Sequence, residues 1–388
     1  MKNPQTQTDI LMHLGDDYQR YLGAIVPPLF QNSLFSRKSC DQGYRYSKIS
    51  NPTVEIFEKK MAALEHAPRA VAFASGMGAI AACLSSELKA GDHIVVLKSA
   101  YYPVISFCEG ELKDAGIAVS YAEDFSEEEI RRLVRENTKL FYLESPSSNI
   151  FRVLPLEKIA AFAKERGITT VIDNTWASPI FQQPQDLGID YSVHSASKYI
   201  GGHSDVIAGV VCCSEEKAEG LSRQRMLRGA SIDPFAAWLL IRSLRTLKLR
   251  MEQNQATGLR VARFLSQHPA VKKVFYPGLE DDPGHALAKE QMQGFSGLMS
   301  FIPDCPEEKL LPFVKSLDVF EEGPSWGGFE SVINTPGLCP VKQREFQGTP
   351  DKLLRISTGL EDAETIIRDL DQALNALPKL QKEHCVVI

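Results

Sequence analysis

The chain has 388 residues, of which 44% are hydrophobic and 24% are charged, ordinary values for a globular protein. This composition excludes an intrinsically disordered chain, a collagen-like repeat and a disulfide-stapled miniprotein. The length predicts about two or three domains, and the formal net charge of −6 argues against nucleic acid as an obligate partner.

Targeting signals are not evident in the sequence. Residues 1–17 lack the apolar core of a secretory signal, and the longest apolar stretch, around Val206–Cys213, is far shorter than the ~20 residues that span a bilayer. The eight cysteines are sparse over this length and are expected to be reduced thiols. The sequence therefore predicts a cytoplasmic protein with no membrane segment.

The C-terminus, Cys385-Val386-Val387-Ile388, has the form of a prenylation site. No polybasic stretch precedes it. A chance run of three aliphatic residues is therefore the favoured interpretation.

The first part of the chain predicts an arm followed by alternating strands and helices. Residues 1–45 have no sustained periodicity and are interpreted as an extended N-terminal arm. The predicted strands that follow are Ala70–Phe73, His93–Leu97, Lys139–Leu143, Thr169–Asp173, Asp190–His194 and Val206–Cys213. The predicted helices are Val54–His66, Phe107–Ala115, Ser126–Glu136 and Leu156–Glu165. This alternation is typical of an α/β fold with a mostly parallel central sheet.

The pattern changes after about residue 221. A long helical pattern over Phe235–Gln267 predicts one helix that leaves one domain and enters the next. Short strands and helices follow, and the last helix begins near the acidic run Glu361–Glu364, which suits a helix N-terminus. We expect an arm over residues 1–45, a large domain over 46–240 and a small C-terminal α/β domain over 241–388.

Three elements of the predicted large domain carry chemistry at strand ends, where ligands bind in such sheets. Asp173 ends one strand, Lys198 follows the next, and Ser75-Gly76 opens a helix with small residues. Free N–H groups at such a helix start bind phosphate. A phosphate cradle, a lysine that can bond to an aldehyde and an acid that keeps a pyridine nitrogen protonated fit pyridoxal phosphate (PLP). Tyr101 could stack on its ring.

Several motifs extend this constellation over nearly the whole chain, from about residue 23 to 374. They are Tyr46-Ser47-Lys48, Asn51-Pro52-Thr53, Ser75-Gly76-Met77, Gly91-Asp92, Glu144-Ser145-Pro146, Asp173-Asn174-Thr175, Ser195-Ala196-Ser197-Lys198, Gly202-His203-Ser204-Asp205, Arg355-Ile356-Ser357 and Gly359-Leu360-Glu361. In this order they resemble the PLP-dependent enzymes of cysteine and methionine metabolism, which include cystathionine β-lyase. The resemblance implies PLP fold type I, as in aspartate aminotransferase.

The resemblance also implies a role for each matching residue. Lys198 would carry the cofactor and move protons, and Asp173 would pair with the pyridine nitrogen. Tyr101 would stack on the ring, and Arg355 would bind the α-carboxylate of a small amino-acid substrate. The cofactor phosphate would be bound by Gly76, Met77, Ser195 and Ser197, and the substrate would face Ser325 and Trp326.

The same resemblance implies an assembly. Tyr46 and Lys48 would reach into the neighbouring subunit's site, so that a homotetramer built as a dimer of dimers is expected. Tyr46 and Tyr101 are both candidates for assisting proton transfer. Relatives usually have arginine in place of Lys48, so the sequence does not predict how the phosphate contact of that arginine is replaced. Many relatives also have asparagine in place of Ser148, so the sequence does not predict which side chain contacts the ring's 3′-oxygen.

Two tryptophans favour one branch of the family. Trp176 and Trp326 look most like bacterial cystathionine β-lyase, whereas γ-type members tend to have phenylalanine and leucine there. The expected reaction is the α,β-elimination of cystathionine to homocysteine, pyruvate and ammonia. The alternative is a γ-type member: cystathionine γ-synthase, cystathionine γ-lyase or methionine γ-lyase.

Two hypotheses from other classes remain at this point. The first is a scaffold that has kept the fold and lost its chemistry, against which the presence of Lys198 and Asp173 argues. The second is zinc chemistry at His194, His203 and Asp205, whose spacing matches no common ligand motif.

Overall fold

The computed structural model describes residues 6–40 and 42–377. Two β-sheets form from successive parts of these residues. The strands are β1 (Arg69–Phe73), β2 (His93–Leu97), β3 (Ala118–Ala122), β4 (Thr138–Glu144), β5 (Thr169–Asp173), β6 (Tyr191–Ser195), β7 (Gly209–Cys213), β8 (Val271–Phe275), β9 (Leu298–Pro303), β10 (Glu321–Glu322), β11 (Val332–Asn334) and β12 (Leu354–Ser357).

Helices cover and connect these sheets. They are α1 (Gln7–His13), α2 (Pro52–Leu64), α3 (Gly76–Glu87), α4 (Tyr102–Phe107), α5 (Glu127–Leu133), α6 (Leu156–Glu165), α7 (Ser178–Phe181), α8 (Glu215–Arg228), α9 (Pro234–Leu244), α10 (Leu247–Gln267), α11 (His285–Gln291), α12 (Leu310–Lys315), α13 (Val341–Gln347) and α14 (Ala363–Asn375). A π-helical turn over Cys108–Leu112 extends α4.

The first sheet has the strand order β1-β7-β6-β5-β4-β2-β3. Its strands are parallel except β7, which runs antiparallel to both of its neighbours. Strands β2 and β7 are mostly apolar, and both they and β5 are almost wholly buried, as expected where helices cover both faces of a sheet. The α/β fold with a mostly parallel central sheet is confirmed, and β4, β5 and β6 end at the same edge.

The second sheet has the order β10-β11-β12-β9-β8 and is antiparallel except for the pair β10 and β11. Helix α14 carries a strongly apolar face against the core, in which Ile366, Leu370 and Leu374 are fully buried. The boundaries 46–240 and 241–388 remain a prediction.

The expectation of one long helix over Phe235–Gln267 is wrong. The chain forms α9 and α10, which are separated at Arg245 and Thr246. Both of these residues donate their backbone N–H three residues back, and the guanidinium of Arg250 donates to the Ser243 carbonyl at 3.0 Å. At the break, the Ser243 carbonyl thus accepts both the Thr246 backbone N–H and the Arg250 side chain.

The expectation of an extended arm also needs correction. Its beginning forms α1, which a capping box between Thr6 and Asp9 starts. Ile10 and Leu11 are buried, and the Lys60 ammonium donates to both of their carbonyls at 3.0 Å. A helix this short gives too few apolar positions for its periodicity to be recognised.

Strand β3 was not among the predicted strands, because four of its five residues are only half-buried and polar residues interrupt its apolar run. Among the described residues, no helix is both long and apolar enough to cross a membrane. The C-terminal sequence Cys385-Val386-Val387-Ile388 lies outside the described residues.

Candidate active site

A cavity of about 390 Å³ lies at the carboxyl ends of β4, β5 and β6. Segments that follow strands of both sheets meet there. Its lining includes Gly76, Met77, Tyr101, Glu144, Ser148, Asp173, Trp176, Ser195, Ser197, Lys198, Ser325, Trp326 and Arg355. The structure thus brings together ten of the twelve residues that the sequence predicts for the site.

One wall of the cavity is the start of α3. The Ser75 hydroxyl caps this helix by accepting the Gly78 N–H at 3.0 Å. Gly76 lies against Ser195, whose Cβ would be 3.0 Å from a Cβ built at position 76. The glycine thus brings backbone N–H groups and the Ser195 hydroxyl to one point, which is the donor set that a phosphate requires.

Asp173 ends β5 at the floor of the cavity and is 9% exposed. Its Oδ1 accepts the Thr175 N–H at 3.0 Å and the Thr175 hydroxyl at 2.5 Å. Burial raises the pKa of this carboxyl, while the Thr175 hydrogen bonds and the charges of His194 and Lys198 oppose that rise. The acid is therefore held in one orientation, where a protonated ring nitrogen could bind it.

Lys198 follows β6 and lines the same cavity. Its Nζ donates to the Ser325 hydroxyl at 2.6 Å and lies 5.5 Å from the centre of the Trp326 ring. Burial and the nearby Arg355 charge lower the pKa of this lysine to about 8. A much larger fraction of the amine is therefore neutral near pH 8 than in an exposed lysine, and a neutral amine can act as a nucleophile or base.

Arg355 lies on β12 of the second sheet. Its Nη2 donates to the Pro324 carbonyl at 2.8 Å. Burial lowers its pKa to about 10, and the charge of Glu144 acts against this shift. A guanidinium at this position can bind a planar carboxylate with two hydrogen bonds.

Glu144 is a site residue to which the sequence analysis assigned no role. It ends β4 directly beside Asp173 of β5, and its carboxylate accepts the Tyr101 N–H at 2.7 Å and the Ser148 hydroxyl at 2.6 Å. Burial, followed by the charge of Asp173, raises its pKa to about 8. An acid that directly follows the apolar run Leu140–Leu143 is the signal that could have identified it.

Tyr101 and Ser197 also line the cavity. Tyr101 precedes α4 and remains 47% exposed, so that its ring is accessible for stacking. The Ser197 hydroxyl accepts the Ala208 N–H at 3.0 Å, which fixes its position next to Ser195.

Tyr46 and Lys48 do not line this cavity in the single chain. Tyr46 is 43% exposed, and the Lys48 ammonium lies 5.9 Å from its ring. Lys48 lines a separate groove of about 660 Å³ beside α2 and α8. Their expected place in a neighbouring subunit's site remains a prediction.

The zinc hypothesis does not fit the geometry. His194 contacts Glu65 at 2.5 Å, and His203 contacts the Gly201 carbonyl at 2.7 Å. Within residues 6–40 and 42–377, no three His, Cys, Asp or Glu side chains are grouped so that they could hold a metal ion.

The remaining constellation fits PLP. The Gly76 cradle suits the phosphate, Asp173 suits the ring nitrogen and Lys198 suits the aldehyde, and all three residues line one cavity. The fold and the site together define a PLP-dependent enzyme of fold type I.

The chain belongs to the Cys/Met metabolism PLP-dependent enzyme family, whose model matches residues 8–375. Its cofactor is pyridoxal phosphate. A cystathionine γ-lyase of Bacillus subtilis is 38% identical over 94% of this chain and 98% of its own. A cystathionine β-lyase of Coxiella burnetii is 37% identical over 94% of this chain and 96% of its own.

Solved structures agree with this assignment. A cystathionine γ-synthase of Xanthomonas oryzae pv. oryzae in complex with cystathionine matches with a TM-score of 0.93 and 34% identity, covering 96% of this chain and 98% of that one. Relatives of similar identity thus include both β- and γ-type enzymes.

Proposed function

We propose that the protein is a carbon–sulfur lyase that cleaves cystathionine by α,β-elimination. The observation that carries this proposal is the restraint on Lys198. The Ser325 hydroxyl binds its amine and the Trp326 ring lies over it. An α,β-elimination needs one proton removed, from the α-carbon, whereas γ-chemistry also needs one removed from the β-carbon. A lysine restrained at one point suits the first reaction.

Substrate binding would rest on Arg355, which would hold the α-carboxylate with two hydrogen bonds. The substrate's amino group would then lie near Lys198, and its side chain would run toward Tyr101 and Trp326. PLP, when bound, supplies an electron sink for the pair of electrons left on the α-carbon. Asp173 would serve that chemistry by keeping the ring nitrogen protonated.

The proposed reaction breaks two bonds of the substrate, the α-C–H bond and the Cβ–S bond. Lys198 accepts the α-proton at Nζ, and the Cβ–S bond breaks with its electron pair on sulfur. The departing thiolate takes up a proton and leaves as homocysteine. The three-carbon fragment takes up water and yields pyruvate and ammonia. Tyr101 and Tyr46 of the neighbouring subunit are the candidates for protonating the sulfur.

Hydrogen exchange tests the proposal separately from product analysis. L-2-Aminobutyrate has an α-proton and two β-protons and no leaving group. In D2O we expect the holoenzyme to exchange only the α-proton, as followed by proton NMR, with Lys198→Ala as the inactive control. Exchange of the β-protons at a comparable rate would favour a γ-type enzyme instead.

A further inference from the structure

A group of buried polar side chains lies behind the cavity and takes no part in the proposed reaction. Glu65 directly follows α2, and its side chain is 0% exposed, against 1% for that of His194. Glu65 Oε1 lies 2.5 Å from His194 Nε2 and accepts the Asn174 side-chain amide at 2.9 Å. One carboxylate oxygen thus binds two residues that adjoin the site.

The sheet register places these two residues next to the cofactor residues. Asp173 pairs with Val193, and the Asn174 N–H donates to the Val193 carbonyl at 2.8 Å, so that Asn174 and His194 come next on the two strands. Asp173 lines the cavity, while the side chains of Asn174 and His194 reach Glu65. This arrangement follows from the alternation of side chains along a strand.

A second connection joins the same strand ends on the cavity side. The Ser195 N–H donates to the Thr175 hydroxyl at 2.8 Å, and this hydroxyl donates to Asp173. Glu65 therefore binds one face of the β5 and β6 ends, and Thr175 the other. The positions of Asp173 and Ser195 depend on both connections.

The charges of Glu65 and His194 also act on Asp173. Burial raises the pKa of Asp173, and a positive charge on His194 lowers it. The Glu65 carboxylate that contacts His194 places a negative charge beside this imidazole. Glu65 thus favours the ionised form of Asp173 through His194.

We propose that Glu65 and His194 are positioning residues that hold Asp173 aligned and ionised for the ring nitrogen of PLP. This inference concerns the binding of the cofactor. It does not depend on which bond of the substrate is broken, and its failure would leave the proposed elimination untouched.

The test measures how tightly the apoprotein binds each of two cofactors. Quenching of tryptophan fluorescence reports the binding. One is PLP, and the other is its analogue with C–H in place of the ring nitrogen, which cannot use the charge of Asp173. Glu65→Gln keeps the size and the acceptor for Asn174 but removes the charge. We expect the Kd for PLP to rise about tenfold, while that for the analogue stays within about twofold.

The chain offers a matched control at the other end of the same strands. Glu87 accepts the Thr169 hydroxyl at the start of β5 at 3.0 Å and the Tyr191 hydroxyl at the start of β6 at 2.5 Å. Glu87→Gln therefore makes the same chemical change between the same strands, away from the cofactor. We expect it to leave both dissociation constants unchanged.

His194→Gln repeats the test should Glu65→Gln fail to fold, because it keeps a donor to Glu65 while it removes the imidazole. It should likewise weaken the binding of PLP more than that of the analogue. Equal weakening of both cofactors would mean that the pair only packs the strand ends and would contradict the proposal. Unchanged binding of PLP in a folded variant would contradict it as well.

Discussion

Lys198 owes its reactivity to its surroundings. Burial and the Arg355 charge both disfavour the ammonium form, and the opposing effect of Asp173 is smaller. The residue expected to bind the substrate carboxylate thus also activates the lysine. Once a carboxylate neutralises Arg355, this part of the effect disappears, and the amine becomes a stronger base.

The lowered pKa of Lys198 predicts how the apoprotein captures PLP. An ammonium cannot attack an aldehyde, so that the rate constant for capture should rise with pH through a midpoint near pH 8, against the usual pKa of 10.5. Stopped-flow absorbance of the bound cofactor measures it. Arg355→Gln should move the midpoint to higher pH, because it removes a charge that disfavours the ammonium. A wild-type midpoint near 10 would contradict this explanation.

At the scale of elements, the cradle depends on the close approach of β7 to the start of α3. A Cβ at position 209 would lie 2.3 Å from the Ser75 carbonyl oxygen and 2.9 Å from the Gly76 Cα. Both are backbone atoms, which cannot rotate away. The glycine at the start of β7 therefore permits the helix to begin where its N–H groups face the cavity.

Gly209→Ala should therefore displace the start of α3. We expect a loss of about 1–3 kcal/mol in the free energy of unfolding, from overpacking, and at least about tenfold weaker binding of PLP. Gly220→Ala, within α8, is the matched control, because a Cβ there would lie 3.6 Å from the Ser86 side chain of α3, an ordinary contact distance. It should stabilise the chain by about 0.5–1 kcal/mol and leave PLP binding unchanged. Equal PLP affinity in both variants would argue against the role of this contact.

The sequence predicts those elements whose pattern is local and misses features that depend on contacts in the folded chain. The bounds predicted for β2 and β5 agree with the structure, because each is a short run rich in β-branched residues. The break between α9 and α10 coincides with a hydrogen bond from Arg250 to the Ser243 carbonyl, a contact that apolar periodicity does not predict. Glu144 was overlooked for a similar reason, since its importance comes from its register with Asp173 across two strands.

At the scale of the whole molecule, the predicted assembly concerns the segment before α2. Apolar side chains there are exposed in the single chain, among them Leu22 at 100%, Ile25 at 74% and Leu34 at 71%. An apolar surface of this kind suits burial against a second copy. The predicted homotetramer would bring Tyr46 and Lys48 to a neighbouring cavity.

Mixing two inactive variants tests whether the site is shared. Tyr46→Ala lacks the residue supplied to the partner, and Lys198→Ala lacks the residue that carries the cofactor. When the two variants mix at random, about half of the dimers contain one chain of each kind. Each such dimer has one site with both native residues, so that about a quarter of the wild-type activity should return. Mixtures that stay inactive although the chains exchange, as mass spectrometry would verify, would show that Tyr46 acts otherwise.

The most direct measurement is the identity of the products that the purified holoenzyme forms from L-cystathionine. Lys198 restrained by Ser325 and Trp326 predicts pyruvate, ammonia and homocysteine in equal amounts. Coupled reduction of the 2-oxo acid, with chromatographic identification of that acid and the thiol, distinguishes the outcomes. Formation of 2-oxobutyrate with cysteine would contradict the proposed elimination.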